Sequence, residues 1–123
     1  MIVGNIFKNM KKSCYIARLK ETFLSDEGAD INYYYRPQYY EFNIQPASGS
    51  TDLMIYGDRV TKMYKTNISL NEYAGKFKEG DVAYLEGVIP KNETEKTYGI
   101  GANYKIVSVR PQNMSIIIYF EKR

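Results

Sequence analysis

The side chains that most often carry catalysis are scarce in this chain of 123 residues. There is no histidine and one cysteine, Cys14, which removes the commonest general base and the commonest metal ligand. A zinc site built from His and Cys ligands is therefore not expected. Cys14 lies in an alternating stretch and is expected to be an inert strand residue. The close carboxylates Asp26 and Glu27, and Glu79 and Asp81, fall in turn-forming sequence, where solvation explains them. Ser48 and Ser50 flank Gly49 with no base in a recognisable motif beside them. Gly99-Ile100-Gly101 matches only a fragment of a dinucleotide fingerprint, without its third glycine and following helix. Asn92-Glu93-Thr94 fits the glycosylation acceptor pattern, a chance match in a chain whose lone cysteine points to a reducing, intracellular origin. The expectation is no catalytic residue, no cofactor-binding residue, no metal ligand and no enzyme activity.

Tyrosine is the residue type in excess: there are 13, and no tryptophan. Tyrosine offers contact area with a polar tip and is favoured in strands and at interfaces. Some tyrosines alternate with basic residues, as in Arg59, Lys62, Tyr64 and Lys65, followed by Lys76 and Lys78. Such a face on a small barrel suits stacking of single-stranded nucleic acid on tyrosine, and an oligonucleotide-binding barrel is the alternative function. The charge balance gives it little support. With 17 basic and 14 acidic residues the net charge is +3, and the two signs are interspersed.

The element best placed to organise these residues is NYKIVSVRPQNMSIIIYFE, Asn103 to Glu121, which the alternation predicts to be a β-hairpin. Pro111 and Asn113 predict a three-residue turn that pairs Arg110 with Met114. Ile106 then faces Ile118, and Tyr104 faces Phe120. Tyr104, Ile106, Ile116, Ile118 and Phe120 form the expected core face. The other face carries Val107, Val109, Ile117 and Tyr119 beside Lys105 and Glu121. It is too apolar to stand in water, so a neighbouring subunit, the N-terminal arm or a helical turn near Leu53 to Tyr56 must cover it.

Residues 1–13 lack periodicity and are expected to be an arm, with Ile2, Val3, Ile6 and Phe7 apolar enough to dock. No apolar run approaches a membrane span, and the start does not match a signal peptide. A first strand is predicted over Cys14 to Thr22, then a long polar loop at 26–38. That loop contains Tyr33, Tyr34, Tyr35 and Arg36, and successive side chains diverge, so at least one tyrosine should project toward a partner. Further strands are predicted at Tyr39 to Gln45, Arg59 to Ser69 and Val82 to Glu86. A helical turn capped by Ser50 or Thr51 should end at Gly57, and a second short turn should place Tyr73 near Phe77. Residues 88–100 form another long loop. About six strands, one or two short helical turns and two long loops predict a mainly β fold, a small antiparallel β-barrel or sandwich in one domain.

Three segments share an order with a known family. FNIQPASGSTDLMIYGDRVTKMY (42–64), YAGKFKEGDVAYLEG (73–87) and ANYKIVSVRPQNMSIIIYFEK (102–122) contain a Q-P-x-S-G turn, a Y-G-D-R step, an E-G-D strand entry and N-Y-x-I-x-x-V. Over about residues 14 to 121 the chain resembles the head–tail connector (head-completion, or head-closure) proteins of tailed bacteriophages and Gram-positive prophages. The resemblance implies a β-barrel subunit of a virion, made in the bacterial cytoplasm. Such subunits assemble as a homo-oligomeric ring between portal and tail, where they close the packaged head and dock the tail. It implies portal and tail partners, phage DNA only in passage through the channel, no membrane and no small-molecule substrate. Tyr33, Tyr34, Tyr35, Arg36, Val107, Val109, Ile117 and Tyr119 are the candidate interface residues.

Overall fold

The computed structural model describes residues 11–123. Nine strands lie within them: β1 (Lys12–Ala17), β2 (Leu19–Leu24), β3 (Asp30–Tyr34), β4 (Gln38–Phe42), β5 (Gln45–Pro46), β6 (Met63–Ser69), β7 (Val82–Tyr84), β8 (Tyr104–Gln112) and β9 (Ser115–Lys122). Two short helices, α1 (Ser50–Tyr56) and α2 (Leu70–Tyr73), and a 3-10 helix (Gly57–Lys62) complete the elements. The fold is mainly β, as expected, and richer in strands than the sequence suggested. Of the expected arm, residues 1–10 lie outside the described residues, whereas Lys12 and Ser13 open β1.

Seven strands form one curled antiparallel half-barrel in the order β4-β1-β7-β8-β9-β6-β5, and β2 and β3 form a separate two-stranded sheet. Phe42 ends β4 at one sheet edge, and Gln45 pairs with Lys65 at the other. The short link between them draws the two edges together, and the Thr66 hydroxyl donates to the Asn43 carbonyl at 3.0 Å. Cys14 and Ile16 from β1, Ile68 from β6, Ile106 from β8, and Ile116, Ile118 and Phe120 from β9 fill the concave side. α2 closes one part of it: Tyr73 stacks on Phe77 with ring centroids 5.9 Å apart.

Several expectations need correction. The predicted strand Cys14 to Thr22 breaks at Arg18, because Asp81 captures the backbone N–H of Leu19 at 2.8 Å and the chain leaves the large sheet there. The predicted loop 26–38 is largely structured: Thr22 pairs with Asn32 and Leu24 with Asp30 around the turn at Ser25 to Ala29. In the terminal hairpin Gln112 pairs with Ser115, so the turn holds two residues, with Asn113 at φ 48°. Pro111 therefore sits within β8. This is tolerated because β7 pairs only with Tyr104 and Lys105, leaving the far end of β8 a sheet edge.

A bulge between Ile106 and Ser108 offsets the shorter turn. Ile106 faces Phe120 and Val109 faces Ile118, not the predicted pairing. The expected core face is nonetheless buried, since Tyr104, Ile106, Ile116, Ile118 and Phe120 are all in the core. Arg59 to Lys62 are helical, and the β6 strand starts only at Met63. α1 is preceded by Gly49 and receives no side-chain cap from Ser50 or Thr51.

Candidate functional site

The outer face of the terminal hairpin is covered from within the chain. Tyr119 is buried and, with Ala47 and Met63, forms a small cluster onto which Tyr56, Val60, Val107 and Ile117 pack. Tyr56 closes over Tyr119 with ring centroids 5.0 Å apart. The helical segment thus supplies the cover, one of the three possibilities the sequence left open. Val109 belongs elsewhere: the bulge turns it toward the main core. Tyr119 is therefore not available as the exposed interface residue expected of it, Val109 is half-buried against the main core, and Val107 and Ile117 are half-buried under the cover.

A buried polar node holds this cover down. The Tyr119 hydroxyl donates to Asp52 Oδ1 at 2.6 Å, and Lys65 Nζ donates to Asp52 Oδ2 at 2.8 Å. Burial pushes the Asp52 carboxyl up, but the hydrogen bonds from Lys65 and Tyr119 and the Lys65 charge outweigh it and hold the group below its ordinary value. Burial, together with the same contact, pushes the Tyr119 phenol up to about 12. A buried carboxylate with both oxygens satisfied by a phenol and an ammonium is a structural lock, and removing either donor leaves it short of a partner.

The tyrosine run divides in three directions. Tyr34 is buried with Ala17, Val82, Tyr84 and Ala102 in a second cluster. Tyr33 packs edge-on against Phe23 with ring centroids 5.6 Å apart. Tyr35 is exposed, and the Arg18 guanidinium lies 5.1 Å from its ring centre. Arg36 is exposed and borders a cleft with Tyr15, Pro37, Ile89 and Pro90. The eight predicted residues are thus not one surface. They lie in two places, around β3 and around β8 and β9.

Tyr84 is committed inside the protein, whereas Tyr64, the tyrosine of the basic stretch, is half-buried. Tyr84 is fully buried; its hydroxyl lies 2.6 and 2.7 Å from the Glu93 carboxylate oxygens and accepts the Gly99 N–H at 3.0 Å. Glu93 also accepts the backbone N–H groups of Gly99 and Gly101. This ties the long 88–100 segment to β7, although it has no strand or helix of its own. Tyr64 packs against Tyr104 with centroids 5.4 Å apart and donates to Glu86 at 3.3 Å.

Sequence reasoning missed two apolar surfaces. Leu53, Met54 and Ile55 point outward from α1, and Phe23, Leu24 and Ile31 are exposed on the β2–β3 hairpin. A signal was available for the first: three consecutive apolar residues in a seven-residue helix cannot share one buried face. Among the described residues no group of His, Cys, Asp and Glu forms a metal-binding cluster, and no helix is long and apolar enough to cross a membrane. A scan against protein-family models, a search of curated proteins and a search of solved structures each return no match.

Proposed function

We propose that this chain is a structural subunit of the head–tail connector of a tailed phage or prophage. It assembles as a ring between portal and tail, closes the packaged head and provides the surface on which the tail docks. Its site of action is the virion, with portal and tail proteins as partners, and DNA meets it only in passage. The observation that carries this reading is the pair of exposed apolar patches on a small half-barrel. A ring subunit needs two surfaces with which to meet its neighbours, and an isolated subunit leaves both in water. The ordered motifs from Phe42 to Lys122 support the same assignment.

Deleting the coding sequence from its native genome tests it. The expected result is DNA-filled heads without tails in electron micrographs, with tailed particles restored when the chain is supplied in trans. Tailed, infectious particles from the deletion strain would overturn the reading. Tight, salt-resistant binding of single-stranded oligonucleotides by the purified chain would favour the oligonucleotide-binding alternative.

A further inference from the structure

Residues 48–62, which cover the outer face of the terminal hairpin, are fastened to it only lightly. Asp52 alone among them is buried; Tyr56 and Val60 are half-buried and the rest are exposed. Among the described residues the backbone hydrogen bonds of this segment run within it: the Leu53 N–H donates to Gly49, and the Gly57 N–H to Leu53. Both ends meet at one place, where the Ala47 N–H donates to the Met63 carbonyl at 3.0 Å beside the Pro46–Tyr64 pair. A compact surface segment with joined ends is an Ω-loop.

A short set of side chains fastens it to the sheet. Asp52 reaches Lys65 on β6 and Tyr119 on β9. Arg59 reaches Glu121 on β9, and Tyr56 and Val60 lie on the cluster of Ala47, Met63 and Tyr119. The Arg59 side chain is 54% exposed, and an ion pair in water contributes little. Asp52, Lys65 and the Tyr119 hydroxyl all regain water when they part, which offsets part of what their contact contributes. Leu53, Met54 and Ile55 are exposed already and lose no burial on release. Only Tyr56 and Val60 oppose it with apolar area. The sheet beneath does not need the cover: β6 pairs with β9 from Met63–Glu121 to Ser69–Ser115, and β9 pairs with β8.

We propose that residues 48–62 are a lid with Asp52 as its latch. The segment swings away from the Ala47–Met63 pair as one unit, at a lower free energy than global unfolding. Opening bares Met63, Ile117 and Tyr119 while the half-barrel stays folded, so the open form presents an apolar strip that the closed form withholds. The latch also fixes where the lid closes. Apolar contacts alone would let the segment slide, whereas a carboxylate between donors at 2.6 and 2.8 Å admits one closed position. The inference goes beyond the connector reading and does not depend on it, since the opening belongs to the isolated chain.

Amide exchange on the full chain, followed residue by residue against urea, tests the lid. The Leu53 and Gly57 N–H groups are expected to exchange together, about a hundredfold or more faster than those of Ile118 and Phe120 and with a much smaller urea dependence. Asp52→Asn should speed lid exchange about tenfold or more. Gly99→Ala, whose added Cβ would crowd Tyr34 in a separate cluster, should speed the β9 amides and leave the lid unchanged. Thiol labelling reads the uncovering itself. In Met63→Cys the new thiol lies under the lid, and Cys14 in the main core times global unfolding. The thiol at 63 should react about a hundredfold or more faster than Cys14. Ala47→Cys, in the same covered cluster, takes its place should Met63→Cys not fold.

Lid amides that share the rate and urea dependence of Ile118 would mean that the segment opens only with the whole fold, and would overturn the proposal. Equal acceleration of lid and β9 amides by Gly99→Ala would do the same, as would lid exchange indifferent to Asp52→Asn. Fast lid exchange beside a thiol at 63 no more reactive than Cys14 would be fraying without uncovering, and would also sink the lid.

Discussion

Asp81 Oδ1 accepts the backbone N–H of Leu19 at 2.8 Å, across 62 residues of chain. Its other oxygen accepts the N–H of Lys78 at 3.0 Å. One fully buried carboxylate thereby closes the turn that leads into β7 and lifts β2 away from the large sheet. Without it, Leu19 would have no reason to leave the alternation begun at Cys14, and the projecting hairpin would lose its root.

Replacing Asp81 with Asn should therefore cost about 1–3 kcal/mol, because the amide nitrogen cannot accept the N–H that one carboxylate oxygen now takes. Chemical denaturation measures the loss. Amide exchange should show the Leu19 N–H losing protection more than those of β8 and β9.

Acid should act on two buried carboxylates in opposite senses. Asp52 titrates below its ordinary value in the folded chain. Its contribution is complete above about pH 4 and disappears as pH falls through the folded value. Burial raises Asp81 despite its backbone hydrogen bonds, so its contribution is greatest at low pH and declines as pH rises through its folded value. Wild type should thus exceed Asp52→Asn in stability at neutral pH, with the gap closing below about pH 4. Urea midpoints measured across that range check the sign.

Tyr119→Phe removes the phenol from Asp52 and leaves the cluster's packing in place. The expected cost is about 1.5–3 kcal/mol, the range for hydrogen bonds to charged groups. Proteolysis within residues 49–62 should accelerate while the rest of the sheet stays intact.

Gly99 is at φ +86°, and a Cβ there would come within 2.8 Å of the Tyr34 ring and 3.1 Å of Val82. Gly99→Ala should destabilise by about 1–3 kcal/mol. Near-ultraviolet circular dichroism should report the displaced Tyr34 ring.

Residue patterning made the inward-facing set of the terminal hairpin legible, because alternation survives a change of pairing partner. It did not reveal the bulge. A two-residue turn and an extra residue at Val107 compensate each other, and the same inward residues result. The split between β1 and β2 was invisible for a different reason: its cause, Asp81, is distant in sequence and sits in what reads as an ordinary turn. The role of Asp52 was hidden likewise, since an aspartate early in a short helix suggests an N-terminal residue in water rather than the anchor of a buried node. Of the candidate interface, divergence of neighbouring side chains made it legible that at least one of Tyr33, Tyr34 and Tyr35 faces outward, as Tyr35 does, but not which one. The burial of Tyr119 depended on where a distant helix came to rest.

The bulge in β8 also decides where this hairpin can lose a codon. Excising Val107 would leave Ser108 opposite Tyr119 and Val109 opposite Ile118, as now, with regular spacing back to Ile106. The shortened chain should still fold, at the expense of one half-buried valine. Excising Ile117 offers no such slack: every residue on one side of the cut would exchange inside for outside. Length variation among descendants of this sequence should therefore be found at 107 or 108 and be absent from the middle of β9.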